Sequence, residues 1–265
     1  MDFEITHSVG ARSRGAVNDA DDVRAVQTLL QSVADALDER AYHPGPIDGA
    51  IGSDARSPTV RAIRAFQRRF LRRPDGVVDP GGRTHRRLVA AHAMGQTADA
   101  VFPFRALPPR KWHWTRGMRR FGAGRRNGRA HAGCDLYAPE GTPIHAVADG
   151  EVVRAPYDFY AKTDAVEVDH GAFVVRYGEI MKGNGLRLGD RVEKGQPIAM
   201  VGHLVGLRLP SDMLHIELYD KTATGPLGQG KATSARHTNG WPFLRRRDLV
   251  DPTPFLNRWQ ASLPA

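Results

Sequence analysis

His131-Ala132-Gly133-Cys134-Asp135, continued at 136–153 as LYAPEGTPIHAVADGEVV, is the stretch that decides the reading of this chain. Its counterpart lies far downstream, at Asp212-Met213-Leu214-His215-Ile216-Glu217-Leu218. There Leu214, Ile216 and Leu218 alternate with Met213, His215 and Glu217, the pattern of a half-buried strand with His215 on the face opposite the aliphatic side chains. His131 and Asp135 are four residues apart, and Gly133 between them argues against a helix. In an extended chain both would point to one side. Two imidazoles and a carboxylate suit zinc, and three protein ligands with a fourth position open is the catalytic arrangement. His131, Asp135 and His215 are therefore candidate metal ligands, although H-x-x-x-D alone is a spacing that chance also produces.

Around these stretches the chain reads as short strands punctuated by glycine: Ile144–Ala148, Gly150–Arg154, Ala165–Asp169, Phe173–Tyr177, Pro197–Val201 and Met213–Tyr219. That spacing, with few helical periods, predicts an all-β, antiparallel-sheet domain over 111–265. Residues 222–240 read as a polar loop.

The ordered motifs Arg129-x-His131-x-Gly133-x-Asp135, Pro139-x-Gly141-Thr142-Pro143, Ala148-Asp149-Gly150, Val168-Asp169-His170-Gly171, Gly189-Asp190-x-Val192-x-x-Gly195-Gln196-Pro197 and Leu214-His215-Ile216-Glu217 resemble the lysostaphin-like (LytM-type) zinc metallopeptidases that cut peptidoglycan cross-bridges. The resemblance covers about residues 111–257 and implies Zn2+ held by His131, Asp135 and His215. Two departures stand out. The family carries H-x-H at the last motif, where this chain has Met213, and a histidine where this chain has Glu179. Those two histidines are the family's proton-handling pair. A thioether takes no proton, so Met213 cannot serve, whereas the Glu179 carboxylate can act as a base. Alternation through Phe173, Val175 and Tyr177 puts Glu179 on their face. His203, after Gly202, is the second candidate for the missing histidine. Cys134 reads as a fourth ligand, a nucleophile or a small buried residue; an extended segment turns it away from His131 and Asp135, which favours the last.

The first half has helical periodicity. Asn18 or Asp19 caps a helix whose Val23, Val26, Leu29, Leu30, Val33 and Leu37 form an apolar stripe. A second helix starts at Pro58, with Val60, Ile63, Phe66 and Gln67 on one face, and a short third spans Arg83–Ala93. Two Asp-Gly turns, at 48–49 and 75–76, read as turn chemistry and not as a repeat. Val26-Gln27-x-Leu29-Leu30, Ile47-Asp48-Gly49, Ala62-Ile63-x-x-Phe66-Gln67 and Asp75-Gly76-Val77 resemble the three-helix peptidoglycan-binding domain; a generic helical bundle and a helix-turn-helix are the alternatives. The expected architecture is α+β and multidomain: a polar, flexible or loosely docked lead-in (1–16), a small three-helix bundle (17–92), a linker (93–110) and the all-β metallopeptidase domain (111–265).

Over 265 residues, 41% are apolar and 25% charged, an ordinary globular balance. The single cysteine excludes an internal disulfide framework. The net charge of +9 and pI near 10.1 favour polyanions, either anionic wall polymers or nucleic acid. The arginine clusters lack a nucleic-acid motif, so nucleic acid is the lesser reading, and a solvated basic surface is the bland one. No 18-residue apolar run and no apolar segment near the start are present, so neither a membrane span nor a classical signal peptide is expected. A wall hydrolase made without that signal acts in the periplasm or outside after delivery by a contractile secretion system or phage machinery, with an immunity protein or a secretion-system carrier as candidate partners. The function so read is a zinc-dependent peptidoglycan hydrolase, with a secreted antibacterial effector as its context. The alternative is a catalytically weak or inactive zinc-containing protein that binds peptidoglycan or regulates its turnover.

Overall fold

The computed structural model describes residues 3–96 and 100–263, which divide into two compact units near residue 98. The first unit holds helices α1 (Ala20–Leu37), α2 (Pro58–Gln67) and α3 (Arg83–Gln96), with the short antiparallel pair β1 (Val9–Gly10) and β2 (Val77–Val78). The α1 stripe is buried throughout. Asp19 is the cap: its carboxylate accepts from the backbone N–H groups of Asp21 and Asp22 at 3.0 and 3.3 Å. Ser57 caps α2 by accepting from Val60 N at 3.2 Å, with Pro58 at the first helical position.

The lead-in departs from expectation. Residues 5–11 are packed: Ile5, Val9 and Ala11 are buried, β1 pairs with β2, and the Asp22 carboxylate accepts from Thr6 N and His7 N at 3.0 and 2.8 Å. Polarity hid this, because three scattered apolar side chains and a set of backbone hydrogen bonds hold the segment. The Asp-Gly turns also share more than turn chemistry. Gln27 Nε2 donates to Asp48 Oδ1, the Ala50 carbonyl and Thr59 Oγ1, while Gly49 N donates to Gln27 Oε1. Gln67 Nε2 donates to Asp75 Oδ1, the Val77 carbonyl and Thr84 Oγ1, while Gly76 N donates to Gln67 Oε1. Each clamp joins a helix, an Asp-Gly turn and the second residue of the next helix. This is a repeat at the level of hydrogen bonding.

Helix α3 continues to Gln96, into the segment read as a linker. Residues 97–99 of that segment lie outside the described residues. From 101 on it packs against the second unit: Val101 N donates to the Val147 carbonyl at 2.7 Å, and the ring of buried Phe102 lies 5.3 Å from that of Trp114.

The second unit contains β3 (Gly124–Arg125), β4 (Arg129–Ala130), β5 (Cys134–Tyr137), β6 (Pro143–His145), β7 (Gly150–Asp158), β8 (Asp164–Asp169), β9 (Val174–Ile180), β10 (Arg191–Val192), β11 (Pro197–Met200), β12 (Met213–Tyr219) and β13 (Leu249–Val250), then helix α4 (Thr253–Trp259). All pairings are antiparallel. The main sheet runs β10-β7-β8-β9-β12-β13, and β5 also pairs with β12. One sheet face, with Val152, Val168, Val175, Ile216 and Leu218, is fully buried and aliphatic. The opposite face carries the polar residues described next.

Candidate functional site

Strand register brings two of the three candidate ligands together. Asp135 on β5 sits directly opposite His215 on β12, and Gly178 on β9 faces His215 from the other side. His131 arrives differently. Residues 131–133 are not strand, so alternation along one extended segment is not what aligns it with Asp135. The chain bends at Gly133 and passes close over β12: a Cβ there would lie 2.3 Å from the Ile216 carbonyl oxygen and 2.9 Å from the His215 ring. Only glycine fits this crossing.

The three ligand atoms converge. His131 Nε2 lies 3.1 Å from His215 Nδ1 and 2.9 Å from Asp135 Oδ1, and His215 Nδ1 lies 2.8 Å from the same oxygen. All three residues are buried. The outer nitrogens are engaged: His131 Nδ1 is 2.9 Å from the Arg120 carbonyl and His215 Nε2 is 2.9 Å from Glu217 Oε1. Donation outward along both bonds leaves the inner nitrogens as lone pairs. Arg125 Nη2 donates to Asp135 Oδ2 at 3.0 Å and fixes the carboxylate plane.

Three acceptors this close need positive charge among them. In the metal-free chain a proton on His215 supplies it. Burial lowers the His215 pKa, but hydrogen bonds to Asp135 and Glu217 outweigh that and raise it to about 9. Burial likewise works against the charged Asp135, and His131 and His215 more than reverse it, holding the carboxyl low. A divalent ion is the other solution. Ligands about 2.0–2.1 Å from a tetrahedral ion lie about 3.3 Å from one another, close to the spacing here. The donor set, its tautomers and its outer hydrogen bonds fit zinc.

Glu179 ends the expected alternation. It has φ 63°, a left-handed conformation that costs a non-glycine residue about 1–3 kcal/mol. The Tyr177 hydroxyl bonds His170 Nε2 and Val147 N, whereas the charges that act on the Glu179 carboxyl are Asp135, His215, Arg125 and Asp212. Burial, then Asp135, pushes this carboxyl up to about 8 in the metal-free chain. Its Oε2 is the buried side-chain oxygen that lacks a hydrogen-bond partner among the described residues.

The structure does not bring His203 to the three ligands. It is exposed, its Nδ1 lies 3.3 Å from Asp212 Oδ2, and both belong to an outer group with Glu140. Met213 is buried in an apolar cluster with Tyr137 and Leu204. Cys134 is buried with Sγ 3.5 Å from Thr253 Oγ1, and burial pushes its thiol well up, which leaves it a small core residue. His170 is sandwiched between the Asp149 carbonyl and Tyr177, at 3.0 Å to each. His145 bonds the Pro103 carbonyl, and His113 stacks on Trp114.

Sequence reasoning missed the surroundings of His215. Arg154, Glu167, Arg176 and Glu217 stand opposite one another on β7, β8, β9 and β12. Arg176 donates to Glu167 Oε1 at 2.9 Å and to Glu217 Oε2 at 2.8 Å. Glu217, wholly buried, also accepts from Arg245 Nε at 2.7 Å, from His215 and from the Tyr219 hydroxyl. Burial works against its charge, but Arg176 and Arg245 hold the carboxyl well below its usual range. This row of alternating charges ends on the outer nitrogen of a candidate metal ligand. Alternation of Met213, His215 and Glu217 signalled the face, but not that it was buried.

Residues 129–227 match the family model described as Peptidase family M23, spanning all three candidate ligands. The chain carries a peptidase family M23 domain. Residues 19–83 match the peptidoglycan binding domain family, so a peptidoglycan-binding domain precedes the M23 domain. The chain is 29% identical over 127 residues to glycyl-glycine endopeptidase ALE-1 of Staphylococcus capitis; the match covers 43% of this chain and 35% of that protein. It is 28% identical over 112 residues to peptidoglycan DD-endopeptidase ShyC of Vibrio cholerae, over 41% of this chain and 25% of that protein. It thus spans about a third of the first relative and a quarter of the second. Among solved structures, lysostaphin from Staphylococcus simulans aligns with a TM-score of 0.43 at 18% identity, over 63% of this chain and 57% of that one. No helix among the described residues is long and apolar enough to cross a membrane.

Proposed function

We propose that this protein is a zinc endopeptidase that cuts peptide cross-links of peptidoglycan, with its first unit holding it on the wall. The observation that carries the reading is the convergence of His131 Nε2, Asp135 Oδ1 and His215 Nδ1, each fixed from behind by Arg120, Arg125 or Glu217. The match to the M23 family and the names of the relatives support the substrate class.

His131, Asp135 and His215 would hold the ion, which supplies Lewis-acid polarisation of the scissile carbonyl and a more acidic water. The chain's own groups handle position and protons. Glu217 keeps the His215 ring in one tautomer, and Arg125 keeps Asp135 Oδ1 directed at the imidazoles. Glu179 Oε2 accepts a proton from the attacking water and returns it to the leaving amine nitrogen. Burial and then Asp135 raise this carboxyl, and positive charge among the ligands opposes both, drawing its pKa toward the working range.

One observation favours a second reading, a zinc-containing wall-binding protein without activity. Met213 occupies the place of a helper histidine and packs as an apolar side chain. Digestion of purified sacculi separates the two. The first reading expects soluble muropeptides from the native protein, their loss on chelation and their return with zinc. It also expects His215→Ala to abolish both zinc stoichiometry and release. One tightly held zinc with no muropeptide released would favour the second; full zinc occupancy in His215→Ala would overturn the ligand set.

A further inference from the structure

Three guanidiniums gather beside the M23 site, and two of them are matched. Arg125 donates to Asp135, and Arg245 donates to Glu217. The third, Arg129, stands directly across the β3–β4 hairpin from Arg125. It is half-buried; burial and the charges of Arg245 and Arg125 work against its own charge, and Tyr160 and Glu217 favour it without reversing the balance. Among the described residues its side chain makes no hydrogen bond and no ion pair. A guanidinium presents five N–H donors in a rigid plane and stays charged in any protein environment. Held partly out of water next to two other cations, with its own donors unused, it costs stability in the free protein. A planar anion that accepts two parallel N–H bonds removes that cost.

We propose that Arg129 is a specificity-determining residue that binds a free carboxylate of the substrate next to the scissile amide. The inference rests on the peptide-hydrolase reading above and narrows its substrate. Arg129 lies two residues before His131 on the same run of chain, so the anion it binds sits within a residue or so of the bond held at the ligands. A cross-link made through a diamino acid can carry a carboxylate on the carbon that bears the leaving amine. An internal glycine bridge carries none. The substrate is therefore a directly cross-linked, carboxylate-bearing stem peptide and not a polyglycine bridge. The hydrogen bonds agree with this: Asp135 and Glu217 turn their oxygens to Arg125, Arg176, Arg245 and the imidazoles, so the Glu217 charge reaches Arg129 but no carboxylate among the described residues accepts from its N–H groups.

The test separates recognition from hydrolysis. Binding is read by fluorescence anisotropy with a labelled, uncross-linked stem peptide containing a carboxylated diamino acid, which offers no cross-link to cut. The same peptide with that carboxylate amidated is the comparison. Wild-type full-length protein is expected to prefer the free acid by about ten- to a hundredfold, the worth of a charge-assisted bidentate contact. Arg129→Gln is expected to bind both forms alike, near the wild-type affinity for the amide. Equal binding of the two forms by wild type, no binding of either, or an unchanged preference in Arg129→Gln would overturn the proposal. If circular dichroism shows that Arg129→Gln does not fold, Arg129→Lys decides: it keeps the charge, loses the fork and is expected to show a reduced preference, and an undiminished one overturns the assignment. Cleavage of cross-linked dimers is scored in parallel. No cleavage with the binding preference intact sinks the hydrolase reading alone. Cleavage of free-acid and amidated dimers at equal kcat/KM sinks the recognition alone.

Discussion

The two units bury polar groups in opposite ways. In the helical unit Gln27 and Gln67 are buried, neutral and fully bonded, each closing an Asp-Gly turn with its carboxamide oxygen and nitrogen. In the M23 domain the row from Arg154 to Glu217 is charged, and it continues through His215 to Asp135. A neutral clamp satisfied at both ends fixes a turn and does little else. A charged row stays charged only while every member keeps its partner, and it can pass orientation to a ligand at its end. Among the described residues Glu179 Oε2 and the Arg129 side chain make no hydrogen bond to the protein, and both lie beside the charged row. Unmet bonding capacity next to the candidate metal ligands is what a substrate can use.

The largest expected effect tests Glu179. Glu179→Gln keeps size and removes the base, so muropeptide release should fall about a hundred- to ten-thousandfold with zinc content unchanged. Unaltered release would exclude Glu179 as the base. A sharper probe of the comparison is a pair of substitutions, one in each unit. Glu217→Gln leaves Arg176 and Arg245 short of a counter-charge and should cost about 3–5 kcal/mol in denaturant unfolding. It should also weaken zinc about ten- to a hundredfold by freeing the His215 ring. Gln67→Ala should cost about 1–3 kcal/mol by leaving the buried Gly76 N–H without its acceptor, and should leave zinc affinity untouched. Equal effects of the two on zinc would show that the charged row does not act on His215 in a way the neutral clamp cannot.

The smallest effect concerns His170, a neutral clamp inside the charged domain. Burial lowers its pKa to about 4, well below the ordinary histidine value, so the fold holds the neutral ring. The unfolded chain binds the extra proton between those two values. Stability from this residue is therefore complete above about 6.5 and is lost as pH falls toward 4. Thermal melts across that window should flatten in His170→Gln relative to the native protein. An identical slope would show that other groups carry the acid sensitivity.

The sequence by itself determined the two-part α+β architecture, because both kinds of period are written locally. The α1 stripe recurs at threes and fours, and Met213–Tyr219 alternates by twos and is strand over that whole span. The first helix's cap was narrowed to Asn18 or Asp19 for the same reason, since Asp19 acts on N–H groups two and three residues away; the Ser57 cap was not read. The three candidate ligands were legible from residue type and from the order of the motifs around them. What only the tertiary structure decided is which residues stand opposite one another. The pairing of Asp135 with His215, the row Arg154–Glu167–Arg176–Glu217 and the paired glutamine clamps all depend on register between distant segments. The same holds for the left-handed turn at Glu179 and for the bend at Gly133, which alternation alone would have drawn as straight strand. A side chain's type and neighbours in sequence fix its local geometry, but the charge it meets across a sheet is set by the packing of the whole domain.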